Sequence, residues 1–498
     1  MKIAIRADSS WSIGTGHVMR CLALAHVLRE RNAEVTFVCR ELPGDIRSTI
    51  AANGFALATL ASQTGSAVDS AADAAYTISA IGHADWIVVD HYGLDAAWER
   101  SVRSSASQIF VIDDLANREH DADLLLDQNF HPASSHRYIA LVSPECQLLM
   151  GPRYALLRSE FASARARVSA RPGAVKNIVV SFGGSDPSGM TLRAIDALQN
   201  IPLGTARVDI ITGLANPRIT EIQQRAGKNG FQCHPSADVA ALFSSADLAI
   251  GAGGGTSWER ACLGVPSIIV ALADNQEPGG SALGTSGYGL YLGRAEDLTD
   301  AELQSSISTL LHNESLRHFF SMHSMELVDG KGVDRVVRAM MPVAVTLRLA
   351  MEADSQNVHR WRNAEHVRLA SLDQREIPWE QHERWFHASL ENPTRALMIA
   401  EHANDPVGVL RYDFCGEQAT VSIYLVGSNA GKGFGPSILT AGNRWMRENH
   451  PEIENVLAEI REENQASHSA FLNAGYRPKT RTYDYSLRRS QVLTEVTQ

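Results

Sequence analysis

The sequence predicts an α/β protein: two Rossmann-like lobes in succession, followed by a third α/β unit. Three observations carry that prediction. Short apolar runs ending in a polar residue recur with helical patterns between them, as in a parallel sheet covered by helices. Glycine turns follow strand-like runs at Gly14-Thr15-Gly16, Gly253-Gly254-Gly255-Thr256 and Gly431-Lys432-Gly433-Phe434-Gly435. The length, 498 residues, fits about three compact units at roughly 150 residues each.

In the first lobe, taken as residues 1–165, a strand over 3–7 runs into the Gly14–Gly16 turn. Cys21, Leu22, Leu24, Ala25, Val27 and Leu28 then trace one face of a helix. Residues 35–39, 86–90 and 108–113 repeat the strand pattern. Residues 161–176, with Ala-Arg-Ala-Arg and then Ser-Ala-Arg-Pro-Gly, read as a polar linker. The second lobe, 175–340, shows strands at 177–182, 208–212 and 248–251, and a helix over about 257–263 after the glycine turn. The third unit, 345–492, opens with a strand at 345–349 and a helix over 352–361. It continues with a strand at 419–426, the third glycine loop, and a helix over 436–449 with proline at its tolerant start.

Composition removes several classes of function. Hydrophobic residues make up 44% and charged residues 20%, which excludes disorder and fibrous repeats. Lys and Arg total 45 against 56 Asp and Glu, a net charge of -11, so no global field draws the chain to nucleic acid or to an anionic membrane. An anionic ligand must therefore be held locally. The six cysteines form no C-x-x-C pair, which argues against a disulfide framework or a structural zinc site and predicts buried, reduced thiols. No His/Asp cluster has metal-ligand spacing, so no metal is expected. The start of the chain lacks the apolar core of a signal peptide, and no run approaches about 18 apolar residues, so a cytoplasmic protein is expected.

The first glycine turn carries a histidine. In Ile13-Gly14-Thr15-Gly16-His17, small residues let the backbone turn tightly, and the N–H groups opening the next helix attract an anion. At the positive end of a helix the imidazolium is disfavoured, so His17 is suited to take a proton from water. A helix cap or a satisfied buried hydrogen bond is the competing role.

Arg6-Ala7-Asp8-Ser9-Ser10, Ile13-Gly14-Thr15-Gly16-His17 and Arg20-Cys21 together resemble the opening of the UDP-2,4-diacetamido-2,4,6-trideoxy-β-L-altropyranose hydrolases of pseudaminic acid biosynthesis. Asp90-His91-Tyr92-Gly93-Leu94-Asp95, Ile112-Asp113-Asp114-Leu115-Ala116-Asn117-Arg118 and Asp127-Gln128-Asn129 extend the likeness, as does Gly151-Pro152-Arg153-Tyr154. Ser181-Phe182-Gly183-Gly184-Ser185-Asp186-Pro187 and Gly251-Ala252-Gly253-Gly254-Gly255-Thr256-Ser257-Trp258-Glu259 carry it through the second lobe. The resemblance implies a glycosyltransferase type B fold that holds a UDP-sugar between the lobes and cleaves the anomeric C–O bond with water. It places the general base on His17 and the sugar contacts on Asp8, Gly16, Arg20 and Tyr92. It places UDP on Gly254, Gly255, Thr256 and Glu259, and a second-lobe substrate contact on Asn275 and Gln276.

Glu463-Asn464-Gln465-Ala466-Ser467 through Phe471-Leu472-Asn473-Ala474-Gly475-Tyr476, with Leu347-Arg348 and Trp361-Arg362-Asn363, resembles the GNAT superfamily of N-acetyltransferases. That resemblance implies acetyl-CoA as cosubstrate, its pyrophosphate on Gly431, Lys432, Gly433, Phe434 and Gly435, and Asn464 as a further contact. Two positions depart from the pattern. Ala430 stands where Arg or Gln is usual, and Phe471 where the thiolate-protonating tyrosine is common, which leaves Tyr476 and Tyr483 as substitutes. The fusion implies consecutive steps, acetylation of a 4-amino UDP-sugar and hydrolysis of the product. The alternatives are a UDP-sugar glycosyltransferase fused to a protein N-acetyltransferase, and a UDP-sugar-binding sensor.

Overall fold

The structure is a computed structural model describing residues 1–60, 69–132, 137–168, 171, 173–184, 186–213, 216–235 and 238–477. These residues fall into two compact units that divide between Met340 and Met341.

The first unit contains two sheets. Strands β1 (Lys2–Ala7), β2 (Glu34–Arg40), β3 (Ala56–Leu60), β4 (Ala84–Asp90), β5 (Ala106–Ile112), β6 (Leu124–Asp127) and β7 (Gln147–Met150) pair in parallel in the order 3-2-1-4-5-6-7. Strands β8 (Asn177–Ser181), β9 (Arg207–Ile211), β10 (Gln232–His234), β11 (Leu248–Ala252), β12 (Ser267–Ala271) and β13 (Leu290–Arg294) are likewise parallel, in the order 10-9-8-11-12-13. Both faces of these strands are buried, which is why β4 and β11 read as continuous apolar runs rather than alternating ones. The order reverses between β1 and β4 and again between β8 and β11, and such switch points open a crevice at the strand ends. The tandem of Rossmann-like lobes is the expected type B architecture.

The polar stretch at 161–176 is not a free linker. The helix Ser159–Arg165 buries Phe161 and Ala164 in the core of the second lobe, and Arg171 donates to the carbonyls of Ala246, Phe243 and Leu263. At the far end the helix Gly332–Met340 returns to the first lobe, where the Trp86 indole donates to the Met340 carbonyl at 3.1 Å. A Cβ at Gly332 would lie 2.2 Å from the Ala155 carbonyl oxygen, so only glycine permits that approach.

The second unit is built on β14 (Thr346–Leu349), β15 (Arg395–His402), β16 (Asp405–Cys415), β17 (Gln418–Leu425) and β18 (Asn455–Leu457), in that spatial order. The first four are antiparallel neighbours, and β18 pairs in parallel with β17 only from Gln418 to Thr420. Val421–Leu425 therefore has no β18 partner, and the two strands part. The predicted helix at 352–361 begins as a 3-10 turn, Glu352–Asp354, before the helix Ser355–Arg362. Among the described residues no helix is long and apolar enough to cross a membrane. All six cysteines are free, but Cys415 is exposed and Cys233 only half-buried, against the expectation that all are buried.

Candidate functional sites

The turn after β1 and the strand end of β4 meet at the first switch point. His17 is the second residue of the helix Gly16–Glu30, whose cap, Thr15, makes no side-chain hydrogen bond. Its Nδ1–H donates to Asp90 Oδ1 at 2.5 Å, which leaves Nε2 to take a proton. Asp90 is fully buried and also receives Arg20 Nε at 2.6 Å and Nη2 at 2.5 Å. Burial opposes its ionisation, yet Arg20 and His17 hold its carboxyl well below the usual carboxylate range. The helix terminus is thus not alone in setting the histidine: a buried carboxylate orients the ring and fixes which nitrogen carries the proton.

Asp8 is wholly buried, with Arg6 Nη1 at 2.6 Å, Arg40 Nε at 2.6 Å and the Arg40 N–H at 2.8 Å. His91 Nε2 lies 3.3 Å away. Both Asp8 oxygens accept from protein donors, at a position where the resemblance implied a sugar contact. Arg20 is likewise engaged with Asp90. Gly16 borders open space. Tyr92 packs edge-on against the His17 ring, centroids 4.7 Å apart, and its hydroxyl donates to Asp114 Oδ1 at 2.8 Å. Asn275 of the second lobe donates to the same hydroxyl at 3.2 Å.

On the second lobe, the Gly253–Gly255 turn follows β11 at the other switch point. A Cβ built on Gly184, in the loop after β8, would lie 3.7 Å from Thr15 Oγ1, so that second-lobe loop approaches the first-lobe glycine turn. Gln276 Oε1 accepts from the Leu272 N–H at 3.0 Å, and its amide lies against Gly254, a bracing position. Thr256 Oγ1 accepts from Arg260 at 3.1 Å. Glu259 receives Arg158 Nη2 at 3.3 Å; burial nevertheless raises its pKa above the ordinary value. Ser185 lies outside the described residues. A groove of about 450 Å³ between Glu160 and Asp247 shares no residue with either turn.

In the second unit, Gly431 and Gly433 have φ of 78° and 88°, a left-handed backbone that delivers the chain into the helix Phe434–Asn449. Gly433 caps that helix without a side-chain bond, so its first-turn N–H groups are available to an anion. Phe434 is core and Lys432 is exposed. Asn464 caps the helix Gln465–Asn473 through Ser467 N–H at 3.0 Å and donates to the Ala370 carbonyl at 3.1 Å, so both ends of its amide are occupied. Phe471 is core, and the Tyr476 hydroxyl, raised to about 12 by burial, donates to Asn443 at 2.7 Å. Tyr483 lies outside the described residues.

Residues 344–477 match the family model of the acetyltransferase (GNAT) domain. The C-terminal unit carries a GNAT acetyltransferase domain. Ahead of it, the chain is similar to the spore coat polysaccharide biosynthesis protein SpsG of Bacillus subtilis, 24% identical over 351 residues, covering 68% of this chain and 96% of that one. It is also 26% identical over 231 residues to the UDP-2,4-diacetamido-2,4,6-trideoxy-beta-L-altropyranose hydrolase of Campylobacter jejuni, covering 45% of this chain and 74% of that one. Among solved structures, MurG of Acinetobacter baumannii covers 68% of this chain and 99% of its own, at 16% identity and a TM-score of 0.48.

The GNAT domain holds a cluster that sequence reasoning passed over. Tyr424 and Val409 are register partners, as are Ser422 and Arg411, so all four share one sheet face. Arg362 Nη1 and the Tyr424 hydroxyl are buried with no hydrogen-bond partner among the described residues. Burial, and the neighbouring Arg411 and Arg368, hold the Arg362 pKa below its ordinary value. No carboxylate forms an ion pair with Arg362 among the described residues; Arg411 faces Asp413 at 2.8 Å. In the sequence Arg362 and Asp90 each stand inside a longer motif with no local signal that singles them out. Their partners lie far along the chain, and only the fold joins them.

Proposed function

We propose that the two Rossmann-like lobes hydrolyse a UDP-diacetamido sugar to UDP and the free sugar, and that the GNAT domain acetylates its 4-amino precursor from acetyl-CoA, the consecutive steps of pseudaminic acid biosynthesis. The chain is a nucleotide-sugar-related enzyme with an acetyltransferase domain, and the finer reading rests on the site. The His17–Asp90 pair carries it. With Nδ1 committed to Asp90, Nε2 takes a proton from water as the water oxygen bonds to the anomeric carbon. The C–O bond to the β-phosphate breaks, and its electron pair leaves with UDP. The N–H groups at the Gly253–Gly255 turn meet the growing diphosphate charge, with Gly254, Gly255 and Thr256 nearest, and Glu259 accepts from a ribose hydroxyl. Tyr92 and Asn275 close on the sugar, while Asp8, Arg20 and Gln276 brace the groups around it.

In the GNAT domain, the Gly431–Gly435 cradle receives the acetyl-CoA pyrophosphate, and the parted strands β17 and β18 receive its thioester arm. The amine attacks the thioester carbonyl and the thiolate leaves. An acceptor carrying a diphosphate satisfies Arg362, Arg411 and Tyr424, whereas the cationic N-terminus of a peptide gains nothing there. This favours the aminosugar over a protein acceptor.

The test supplies acetyl-CoA and the 4-amino UDP-sugar in ¹⁸O-labelled water and follows products by mass spectrometry. Acetylated free sugar labelled at its reducing end supports both assignments. An acetylated nucleotide that persists, or label found in UDP, overturns the hydrolase.

A further inference from the structure

We propose that Asp114 is a positioning residue of the first-lobe site, tying the Tyr92 hydroxyl and Arg20 together so that contact with the second lobe is felt at His17. The proposal rests on the hydrolase reading above.

A connected series of contacts supports it. Asp114 Oδ1 accepts the Tyr92 proton at 2.8 Å, and Asp114 Oδ2 accepts from Asn129 Nδ2 at 3.1 Å. The same carboxylate lies 3.7 Å from Arg20 Nη1. Arg20 in turn grips Asp90, which holds His17. A phenol has one proton, and Asp114 takes it. The Tyr92 oxygen can then offer only lone pairs to other groups, which is how it meets the Asn275 amide from the other lobe at 3.2 Å. The Tyr92 ring also rests edge-on against the imidazole. One carboxylate therefore sets the polarity of the interlobe contact and shares the arginine that orders the base.

The charged and titratable groups facing His17 are Asp90 from the end of β4, Arg20 from its own helix, and Tyr92 from the following loop, while Cys21 Sγ meets Asp90 Oδ2 at 3.5 Å. Asp114 stands behind Arg20. Removing its negative charge leaves Arg20 less neutralised, so the imidazolium is less favoured and His17 titrates at lower pH.

Asp114→Asn preserves shape and removes the charge. The expected result is a fall in kcat of about tenfold with KM within about twofold, as for a lost hydrogen bond to a charged group. The acid limb of kcat/KM should move down by about half a pH unit. The His17 titration, followed by NMR on ¹³C-histidine-labelled protein and assigned by its loss in His17→Gln, should move the same way without substrate. Asp114→Glu should restore both. In the Tyr92→Phe background, Asn275→Ala should cost less than it does in the wild type, because the contact between the two is already lost. An unchanged titration and pH profile in a folded Asp114→Asn protein, or full additivity of Tyr92→Phe with Asn275→Ala, overturns the proposal. Failure of the wild type to release UDP would sink the hydrolase reading instead, and the substrate-free titration would still decide the part played by Asp114.

Discussion

The His17 pocket and the Gly431–Gly435 loop both open a helix from a glycine turn, and neither helix has a side-chain cap. They are furnished in opposite ways. Around His17 the strand ends deliver charged side chains that occupy one another: Arg6 with Asp8, Arg20 with Asp90. Around Gly433 the groups on offer are the uncapped N–H groups that open the helix. A site made of interlocked side chains depends on the identity of each, because removing one partner strands a buried charge. A site made of N–H groups depends on the path of the chain.

The largest expected effect breaks the first kind. His17→Ala should lower hydrolysis by about a thousandfold, the range of general base catalysis, while UDP affinity and acetyl transfer persist. UDP release and calorimetric UDP binding measure it. Turnover that survives the change would remove the base from the scheme.

Next comes the arginine cluster of the GNAT domain, where Arg362 Nη1 and the Tyr424 hydroxyl are buried without a partner among the described residues. Arg362→Met or Arg411→Met should each raise KM for the aminosugar nucleotide by about tenfold and leave KM for acetyl-CoA unchanged. Initial rates with each substrate varied in turn check this. Equal effects on both KM values would place the arginines on the wrong ligand.

The backbone site calls for a different probe. Gly433 has φ of 88°, so Gly433→Ala forces a left-handed alanine at a cost of about 1–2 kcal/mol and should raise KM for acetyl-CoA by about fivefold to thirtyfold. Lys432→Ala, on an exposed side chain of the same loop, should change it by less than about twofold. If the lysine matters more than the glycine, the cradle is not made of N–H groups.

The same contrast explains what the sequence could show. Glycine turns after apolar runs are local signals, and so both switch points and the cradle were visible at Gly14, Gly253 and Gly431. The groups that tune those turns were not. Asp90 lies 73 positions from His17, and nothing in either segment announces the pairing. Tyr424 and Arg411 share a face only because an antiparallel register brings them there. The stretch at 161–176 misled because alternating Ala and Arg is polar by composition, whereas Arg171 spends its charge capping carbonyls and Phe161 is core. The family pattern implies a cosubstrate contact at Asn464, whereas its amide is occupied by the first turn of the helix it caps and by the Ala370 carbonyl.

The smallest effect tests whether binding groups on the second lobe are kept at the expense of stability. Burial raises the Glu259 pKa despite the Arg158 partner. An unfolded glutamate titrates near about 4.3. Between that value and the higher folded one, the folded chain holds a proton the unfolded chain has released, so stability falls as pH rises through the window. Above the folded value the whole penalty is in place. Glu259→Gln should therefore raise Tm by about 2–4 °C near pH 7, with the gain shrinking to nothing below about pH 4. UDP affinity should fall at the same time, because an amide oxygen accepts a ribose hydroxyl less strongly than a carboxylate. Thermal melting from pH 4 to pH 8, with and without UDP, measures both. A variant that melts lower at neutral pH would mean that the Arg158 pairing outweighs burial, and Glu259 would then be a structural residue that happens to face the turn.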